Sequence, residues 1–245
     1  MKALPAEELL YVWEQGLNQP LLQRVLILLV TAFPEIKPDS LVNLSVGQRD
    51  RYLLQLRESL FGQCLQNTAV CPKCDQRMEW ESRIADFVDQ TAENRPTENK
   101  FELNADGFKI QFRLPNSLDI AAIINIENNE KAQLHLLSRC LLKVEHEGES
   151  CDNSQLPDSL IQQVIDEIEM LDPHADIHIN LNCAECSHSW DVLFDIDSFL
   201  WIEINDWAEK MLQTIHKIAT AYGWSEKDIL RLSPVRRQLY VGMLG

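Results

Sequence analysis

Four cysteines form two C-x-x-C pairs that lie far apart in the 245-residue chain. The first pair is in "TAVCPKCDQRMEW", residues 68–80, and the second is in "NLNCAECSHSWDV", residues 180–192. Each turn can present two thiolates to one metal ion, and two turns complete a tetrahedral shell of four sulfurs, in which zinc is the usual ion. We therefore predict a structural zinc ion bound by Cys71, Cys74, Cys183 and Cys186.

The spacing between the two pairs is unusual. It amounts to 108 residues, 75–182, whereas a compact zinc ribbon leaves roughly 15–20 residues between its pairs. A long insertion is tolerable if it folds on itself, because the entropy of loop closure grows only logarithmically with length. We expect the pairs to meet in space as a split zinc ribbon.

Other uses of these residues remain open. A redox role for "CPKC" would need one reactive thiol in a thioredoxin-like setting, which the surrounding pattern does not indicate. The metal could be lost, or His178 or His188 could replace a cysteine, although we expect both histidines at the surface or hydrogen-bonded behind the ligands. Cys64 and Cys140 lie among apolar neighbours and are expected in the core or on a helix face.

No sequence motif for catalysis stands out. GxxxxGK[ST], GxGxxG, GxSxG and HExxH are absent. Asp195 and Asp197 in "LFDIDSF" alternate as on a strand and could form a catalytic pair, but a strand end or a helix N-cap is the commoner role. Four protein ligands would leave no open metal position for water or substrate. We predict that the protein is not an enzyme.

The composition indicates a folded, acidic protein. Hydrophobic residues make up 45 % of the chain and charged residues 24 %, which favours a folded chain with a sizeable core. The net charge of −16 repels phosphate and opposes general nucleic-acid binding. The charge is uneven, because residues 75–182 carry 22 acidic and 9 basic side chains, and residues 210–245 carry 2 acidic and 6 basic ones.

The location is predicted from what the sequence lacks. No signal peptide is recognisable at its start, and the apolar run "VLILLVTAF", 25–33, is too short to span a bilayer. Seven cysteines, an odd number, do not suggest a secreted disulfide scaffold. We expect a cytoplasmic protein with no role at membranes.

The elements that must position the cysteines indicate an α+β fold. We expect an N-terminal helical region (1–66), a split ribbon with an inserted hairpin and helices (67–198, insertion 75–182), and a C-terminal helical region (199–245). Helical spacing also covers 117–142, and 156–172 predicts a helix capped by Asp158 or Ser159. Ser45 with Gln48 predicts a capping box, and Asp106-Gly107 a hairpin turn. "DQTAENRPTENK" and "EHEGESCDNSQ" indicate loops.

Several segments resemble one known family. They are "RDRYLLQLRESLFG" before "CPKC", "IQFRLPNSLDI", "LLSRC", "LDPHADIHINLNCAECSHSWDVLFDI" and "IHKIATAYGWSEKDILRLSPVRRQLY". Over roughly residues 40–245, and most specifically in the last segment, they are similar to zinc-ribbon proteins encoded among baseplate genes of contractile phage tails and extracellular contractile injection systems. The segments also look similar to baseplate hub assembly chaperones of T-even-type phages. The resemblance implies the same four cysteine ligands and no catalytic residues.

The main hypothesis is therefore an assembly chaperone or minor component of a phage-tail-like baseplate. It would bind baseplate or hub proteins, in the cytoplasm or on the particle. The preferred contact surface is the basic C-terminal region, with Trp224, Arg236 and Arg237 as candidates. The alternative is a zinc-ribbon nucleic-acid-binding regulator, which the basic tail permits and the total charge opposes. The weakest alternative is a hydrolase using Asp195 or Asp197.

Overall fold

A computed structural model describes residues 1–87 and 100–244. It combines helices with small antiparallel sheets, which confirms the α+β class. The helices, in chain order, are α1 (Ala6–Gly16), α2 (Leu21–Ala32), α3 (Pro38–Val42), α4 (Val46–Phe61), α5 (Ser117–Ile123), α6 (Asn129–Cys140), α7 (Asp158–Leu171), α8 (Ile196–Tyr222), α9 (Glu226–Leu230) and α10 (Pro234–Gly242).

The strands form three separate sheets. A hairpin of two strands lies near each end of the 67–198 region, and a four-stranded antiparallel sheet in the order β3-β4-β5-β6 lies between them in sequence. The strands are β1 (Cys64–Val70), β2 (Arg77–Arg83), β3 (Phe101–Ala105), β4 (Phe108–Phe112), β5 (Leu141–His146), β6 (Glu149–Ser150), β7 (His178–Asn182) and β8 (Ser189–Leu193).

Packing divides the chain into two compact units. The first contains Met1–Ile36 and Ile196–Gly245, and the second contains Lys37–Asp195. This grouping differs from the three sequence-based regions, because residues 37–66 join the middle of the chain and the two chain ends form one unit.

The first unit is helical, and its core joins both ends of the chain. Residues of α1, α8 and α9 pack together in one buried cluster: Leu10, Ala208, Met211, Ile215, Ile218 and Ile229. Gly16 allows a close approach, since a Cβ atom there would lie 2.2 Å from Cη2 of Trp201. The Arg24 guanidinium lies 5.0 Å from the centre of the same indole, a cation–π distance.

The second unit is built around the four-stranded sheet. Its core cluster comes from β4, β5, α6, α7 and the segment before α7, and contains Ile110, Phe112, Leu137, Val144, Leu156, Leu160 and Val164. The predicted Asp106-Gly107 turn joins β3 to β4, with φ values of 50° and 79°. Glu147 and Gly148, at 51° and 89°, make a second such turn between β5 and β6.

Some local predictions are confirmed and others are wrong. Ser45 and Gln48 form the predicted capping box at the start of α4. The helical pattern over 117–142 breaks into α5 and α6 and then enters β5, and part of the expected loop "EHEGESCDNSQ" pairs as β5 and β6. Neither Asp158 nor Ser159 caps α7, because Pro157 holds the N-cap position without a side-chain hydrogen bond. Residues 89–99 of the other expected loop lie outside the described residues.

A buried carboxylate supports the start of α4. Asp172 is 6 % exposed, and its Oδ2 accepts the N–H of Gly47 over 2.9 Å. This satisfies an N-terminal N–H that has no partner within the helix and places negative charge at the positive end of the helix dipole. The contact requires glycine, since a Cβ atom at Gly47 would lie 2.2 Å from Oδ1 of Asp172.

Candidate metal centre

Each C-x-x-C pair occupies the loop of one of the two-stranded hairpins. The loop of β1 and β2 follows the pair Val70–Arg77, and the loop of β7 and β8 follows the pair Asn182–Ser189. Side chains along β1 and β7 alternate between more exposed and more buried positions. Successive residues of a strand point to opposite faces, so one face of each hairpin is more buried than the other. Strand pairing thus fixes the two ends of each loop and limits where its cysteines can point.

The two loops share one hydrogen-bond pattern. The N–H of Cys71 donates to the carbonyl of Gln76 over 2.9 Å, and that of Cys183 donates to the carbonyl of His188 over 2.8 Å. The first cysteine of each pair also accepts a hydrogen bond through its carbonyl, from the N–H of Asp75 in one loop and of Ser187 in the other, at 3.0 and 2.9 Å.

The loops also share a backbone conformation that L-residues seldom adopt. Asp75 has φ 58° and Ser187 has φ 55°, so each C-x-x-C is followed directly by a left-handed residue. The two loops are therefore structurally equivalent although they lie more than a hundred residues apart.

The four sulfurs converge on one point between the loops. All four Sγ atoms lie within 4.8 Å of one another. The Sγ atoms of Cys71 and Cys186 are 3.6 Å apart, as are those of Cys74 and Cys183. A tetrahedral ion with Zn–S bonds of about 2.3 Å needs sulfurs separated by about 3.8 Å. Both distances are too long for a disulfide, and the cysteines are free thiols.

The site is enclosed on one side. Cys71 and Cys183, the first cysteine of each pair, are 0 % exposed, Cys186 is half-buried and Cys74 is exposed. Among the residues described, these four are the one group of three or more cysteine, histidine or carboxylate side chains with this geometry. They could hold a metal ion, and their all-sulfur chemistry fits zinc.

The loops give the thiols unequal proton affinities. Backbone N–H groups of Cys186 and Glu185 favour the thiolate of Cys183 and lower its pKa to about 7 despite its burial, with further contributions from Cys74 and Cys186. At Cys74 the N–H of Gln76 lowers the pKa, but hydrogen bonds with the other three cysteines and burial outweigh it and raise the pKa to about 12. Crowded thiols that share protons in this way lose those protons and become thiolates when a metal cation binds.

A second contact joins the hairpins away from the sulfurs. Phe87 follows β2 through the 3₁₀ turn Ile84–Asp86, and Phe194 follows β8 directly. Their rings stack with centroids 4.7 Å apart and planes 4° from parallel. The hairpins are thus held together at the cysteine loops and again at the far ends of β2 and β8.

The histidines beside the second pair do not join the sulfur group. His178 is exposed and its Nε2 lies 3.0 Å from Oδ1 of Asp176. The His188 ring stacks on Trp190, with centroids 5.8 Å apart, while the His188 carbonyl accepts the hydrogen bond of the loop. His188 therefore supports the turn through its backbone.

Two predictions about other residues are wrong. Cys64 is exposed at the start of β1, whereas Cys140 is buried as expected and its pKa is raised to about 11 by burial and by Asp119. Asp195 and Asp197 do not share a strand, because β8 ends at Leu193 and Asp197 lies in the first turn of α8. A catalytic pair on one strand face is therefore ruled out for these two residues.

The three candidate contact residues at the C-terminus have different environments. Trp224 is half-buried and packs against both Tyr222 and Tyr240, with ring centroids 5.2 and 4.9 Å away. Arg236 is exposed. Arg237 is 6 % exposed and donates from Nη1 to the carbonyls of Leu230 and Leu232, which fixes α9 against the start of α10.

Sequence reasoning missed the residues that shape the loops. Asp75 and Ser187 each stand directly after the second cysteine of a pair, and that shared position is the signal that was present. The stacking of Phe87 on Phe194 had no signal of its own, since an aromatic residue after a strand is common in any core.

Comparisons with known proteins agree with the phage setting. The model of a family described as T4 bacteriophage base plate protein matches residues 7–201. The match includes all four cysteines, and the C-terminal segment "YGWSEKDIL" lies beyond its end. No curated protein and no solved structure shows significant similarity to the chain. None of the described helices is long and apolar enough to cross a membrane. Because the match spans well over half of the sequence, the chain belongs to the T4 bacteriophage base plate protein family.

Proposed function

We propose that this protein is a non-enzymatic assembly chaperone or minor structural component of a contractile, phage-tail-like baseplate. The family match over residues 7–201 is the observation that carries the proposal. A baseplate is built by protein–protein contacts, so the work of such a chain is to bind other baseplate or hub proteins. The net charge of −16 favours this role over the alternative of nucleic-acid binding.

The metal would be structural. Cys71, Cys74, Cys183 and Cys186 would hold one zinc ion as a split zinc ribbon, joining hairpins that are separated by 108 residues. All four positions would be taken by protein sulfur, so the ion would supply folding free energy and no reaction centre. The ion would hold the two cysteine hairpins of the second unit in one fixed arrangement.

Zinc binding is tested by metal content and by substitution with cobalt. The purified chain should contain about one zinc ion and should give the visible absorption bands of a tetrahedral tetrathiolate site after cobalt exchange. Cys183→Ser should lose the ion and lower the Tm by more than about 10 °C, since a few kcal/mol of metal-linked stability is removed.

Cys64→Ser is the matched control. Cys64 is exposed and outside the sulfur group, so this variant should keep both the zinc content and the Tm of the parent. A Cys183→Ser variant that retained zinc and its Tm would contradict the proposed centre.

The baseplate role is tested by capture from the native host. A tagged chain, with residues 223–245 present or deleted, is purified from cells that make the particle, and bound proteins are identified by mass spectrometry. We expect baseplate or hub proteins with the full chain and their loss on deletion. The deletion removes the proposed surface, in which Trp224 and Arg236 would contact a partner while the buried Arg237 anchors α10 to α9. Presence in purified particles would indicate a component, and absence would indicate a chaperone. No baseplate protein in either capture would refute the role.

A further inference from the structure

Helix α10 carries an apolar ridge that nothing in the described structure covers. Val235, Leu239 and Met243 are 69 %, 58 % and 70 % exposed. Residues four apart lie above one another on a helix, and Met243, the C-cap of α10, keeps helical backbone angles. The three side chains therefore form one row about 12 Å long. A helix in a folded protein normally turns such a row towards a core.

The helix cannot bury the ridge by rotating, because its other face is anchored. Arg237 is buried and bonded to the carbonyls of Leu230 and Leu232, and Tyr240 and Val241 pack against the core cluster of the first unit. Ser233 caps the helix by accepting the N–H of Arg236. The exposed row is thus a fixed feature of the surface.

The ridge has a small residue at its edge. Gly242 precedes Met243, and a Cβ atom placed there would meet no atom within 4 Å. The absence of a side chain lets another backbone approach α10 closely. An apolar row next to a position without a side chain suits a second helix that packs along α10.

Two exposed arginines near the ridge in sequence indicate what kind of helix it would be. Arg236 directly follows Val235 on α10, and Arg231 is the C-cap of α9. Neither forms an ion pair within residues 1–87 and 100–244. Residues 210–245 are basic in a chain of net charge −16. A second α10 would bring further arginines to the contact, so like charges oppose pairing of two such ridges.

We propose that α10 binds an acidic amphipathic helix of a partner protein, whose apolar face covers Val235, Leu239 and Met243 and whose carboxylates pair with Arg231 and Arg236. This rests on the proposed function, in which the chain works by binding other proteins, and it specifies the partner's chemistry. Helix-in-groove contacts of this type take their affinity from apolar anchors and their selectivity from flanking charge.

The experiment uses two synthetic helical peptides and the full-length, zinc-loaded chain. Both peptides have about 18 residues, or five turns, with leucines along one face; one carries glutamates on the flanks and the other carries lysines. Fluorescence anisotropy should show the glutamate peptide binding at least about tenfold more tightly, with the advantage falling as salt screens the charges.

Variants locate the contact on α10. Leu239→Ser should weaken binding of the glutamate peptide by about tenfold or more, which equals the loss of one good apolar anchor. Arg236→Glu should shift the preference towards the lysine peptide. Ile202→Ser is the matched control, since Ile202 is 61 % exposed on α8 of the same unit and should not affect binding. All three positions are exposed, so the Tm should stay at the parent value.

Three results would overturn the inference. They are equal affinity for the two peptides, binding of the chain to phosphatidylserine vesicles in preference to the glutamate peptide, and a wild-type dimer that Leu239→Ser dissociates in the ultracentrifuge. If the peptide fails while baseplate proteins are still captured from the host, the inference falls and the proposed function stands. If the peptide binds and no baseplate protein is captured, the inferred helix contact stands and the proposed baseplate function falls.

Discussion

Asp119 is the most fully buried carboxylate among the residues described, and it is held by two arginines. It is 0 % exposed, and its Oδ1 lies 2.9 Å from Nη2 of Arg113 and 2.8 Å from Nε of Arg139. Burial alone would raise the pKa of Asp119, but hydrogen bonds from Arg113, the N–H of Asn116 and Arg139 together lower it below its usual range. Arg113 and Asp119 of "RLPNSLDI", together with Arg139, therefore form an ion-pair network that connects the end of β4 with α5 and α6.

Asp119→Asn should destabilise the protein in a pH-dependent way. At pH 7 we expect a loss of about 2–3 kcal/mol, because the buried pair is broken while its arginines remain partly exposed to solvent. A carboxylate with a lowered pKa contributes its stability above the unfolded pKa of about 3.9, and this is lost as the pH falls through the folded value. The difference in free energy of unfolding between parent and variant, measured by urea titration, should therefore become smaller below about pH 4.

Asp106→Asn is the control for that comparison. Asp106 is exposed in the turn between β3 and β4, where asparagine is equally suited, so its stability should follow the parent at every pH. A gap for Asp119→Asn that stayed constant from neutral to acidic pH would show that charge is not what Asp119 supplies.

Gly47 is a position where one methyl group should matter. In Gly47→Ala the new Cβ would overlap the Asp172 carboxylate and displace the acceptor of the Gly47 N–H, at a cost of about 2 kcal/mol. Gly242→Ala is the matched control, because open space surrounds it. Chemical denaturation should show a lower midpoint for Gly47→Ala and no loss for Gly242→Ala; equal midpoints would mean that Asp172 moves aside freely.

At the scale of elements, the two hairpins that carry the C-x-x-C loops contact each other at two places. The four sulfurs converge between the loops, and Phe87 stacks on Phe194 at the other end. A two-stranded hairpin is only marginally stable in water by itself. Each contact therefore stabilises both hairpins at once, which is how two hairpins whose cysteine pairs are separated by 108 residues can stay assembled.

A double-mutant cycle measures how strongly the stacked rings of Phe87 and Phe194 couple the hairpins. Phe87→Ala and Phe194→Ala should each lower the free energy of unfolding, and the double variant should lose less than the sum by about 0.5–1.5 kcal/mol. Zinc content should not change in any of the three, since the cysteines are untouched. Strict additivity in the zinc-loaded protein would show that the stacked rings do not couple the hairpins.

For the whole molecule, the main feature is that the chain ends form one unit. Leu10 of α1 belongs to the same buried cluster as Ala208, Met211 and Ile215 of α8. The hydrophobic face of α8 therefore depends on a segment almost two hundred residues away in sequence. Surface of this kind binds other apolar surface when it is uncovered.

Deleting residues 1–36 should uncover the apolar face of α8. We expect aggregation and stronger binding of a hydrophobic dye, while the cobalt spectrum of the cysteine site persists because the hairpins belong to the other unit. Tyr11→Ala, at a side chain of α1 that is 60 % exposed, is the control and should leave dye binding unchanged. A deleted chain that stayed monomeric without binding dye would contradict the shared core.

The sequence alone determined what depends on near neighbours. The capping box of Ser45 and Gln48, the Asp106-Gly107 turn and the two C-x-x-C loops were all predictable, because each is fixed by hydrogen bonds and backbone preferences within a few residues. The pairing of two thiol pairs into one site was also predictable, since two C-x-x-C turns are a common ligand set for one tetrahedral metal ion.

Only the tertiary structure decided what depends on distant neighbours. It ended the helical pattern of 117–142 at Cys140, because strand pairing with β4 outweighs helix propensity at Leu141 and the residues after it. It also placed Arg237 inside and left Val235, Leu239 and Met243 outside, although three of them are on the same short helix and Met243 is its C-cap. Which face of a helix is buried is settled by the surfaces that pack against it, and in the first unit those surfaces come from both ends of the chain.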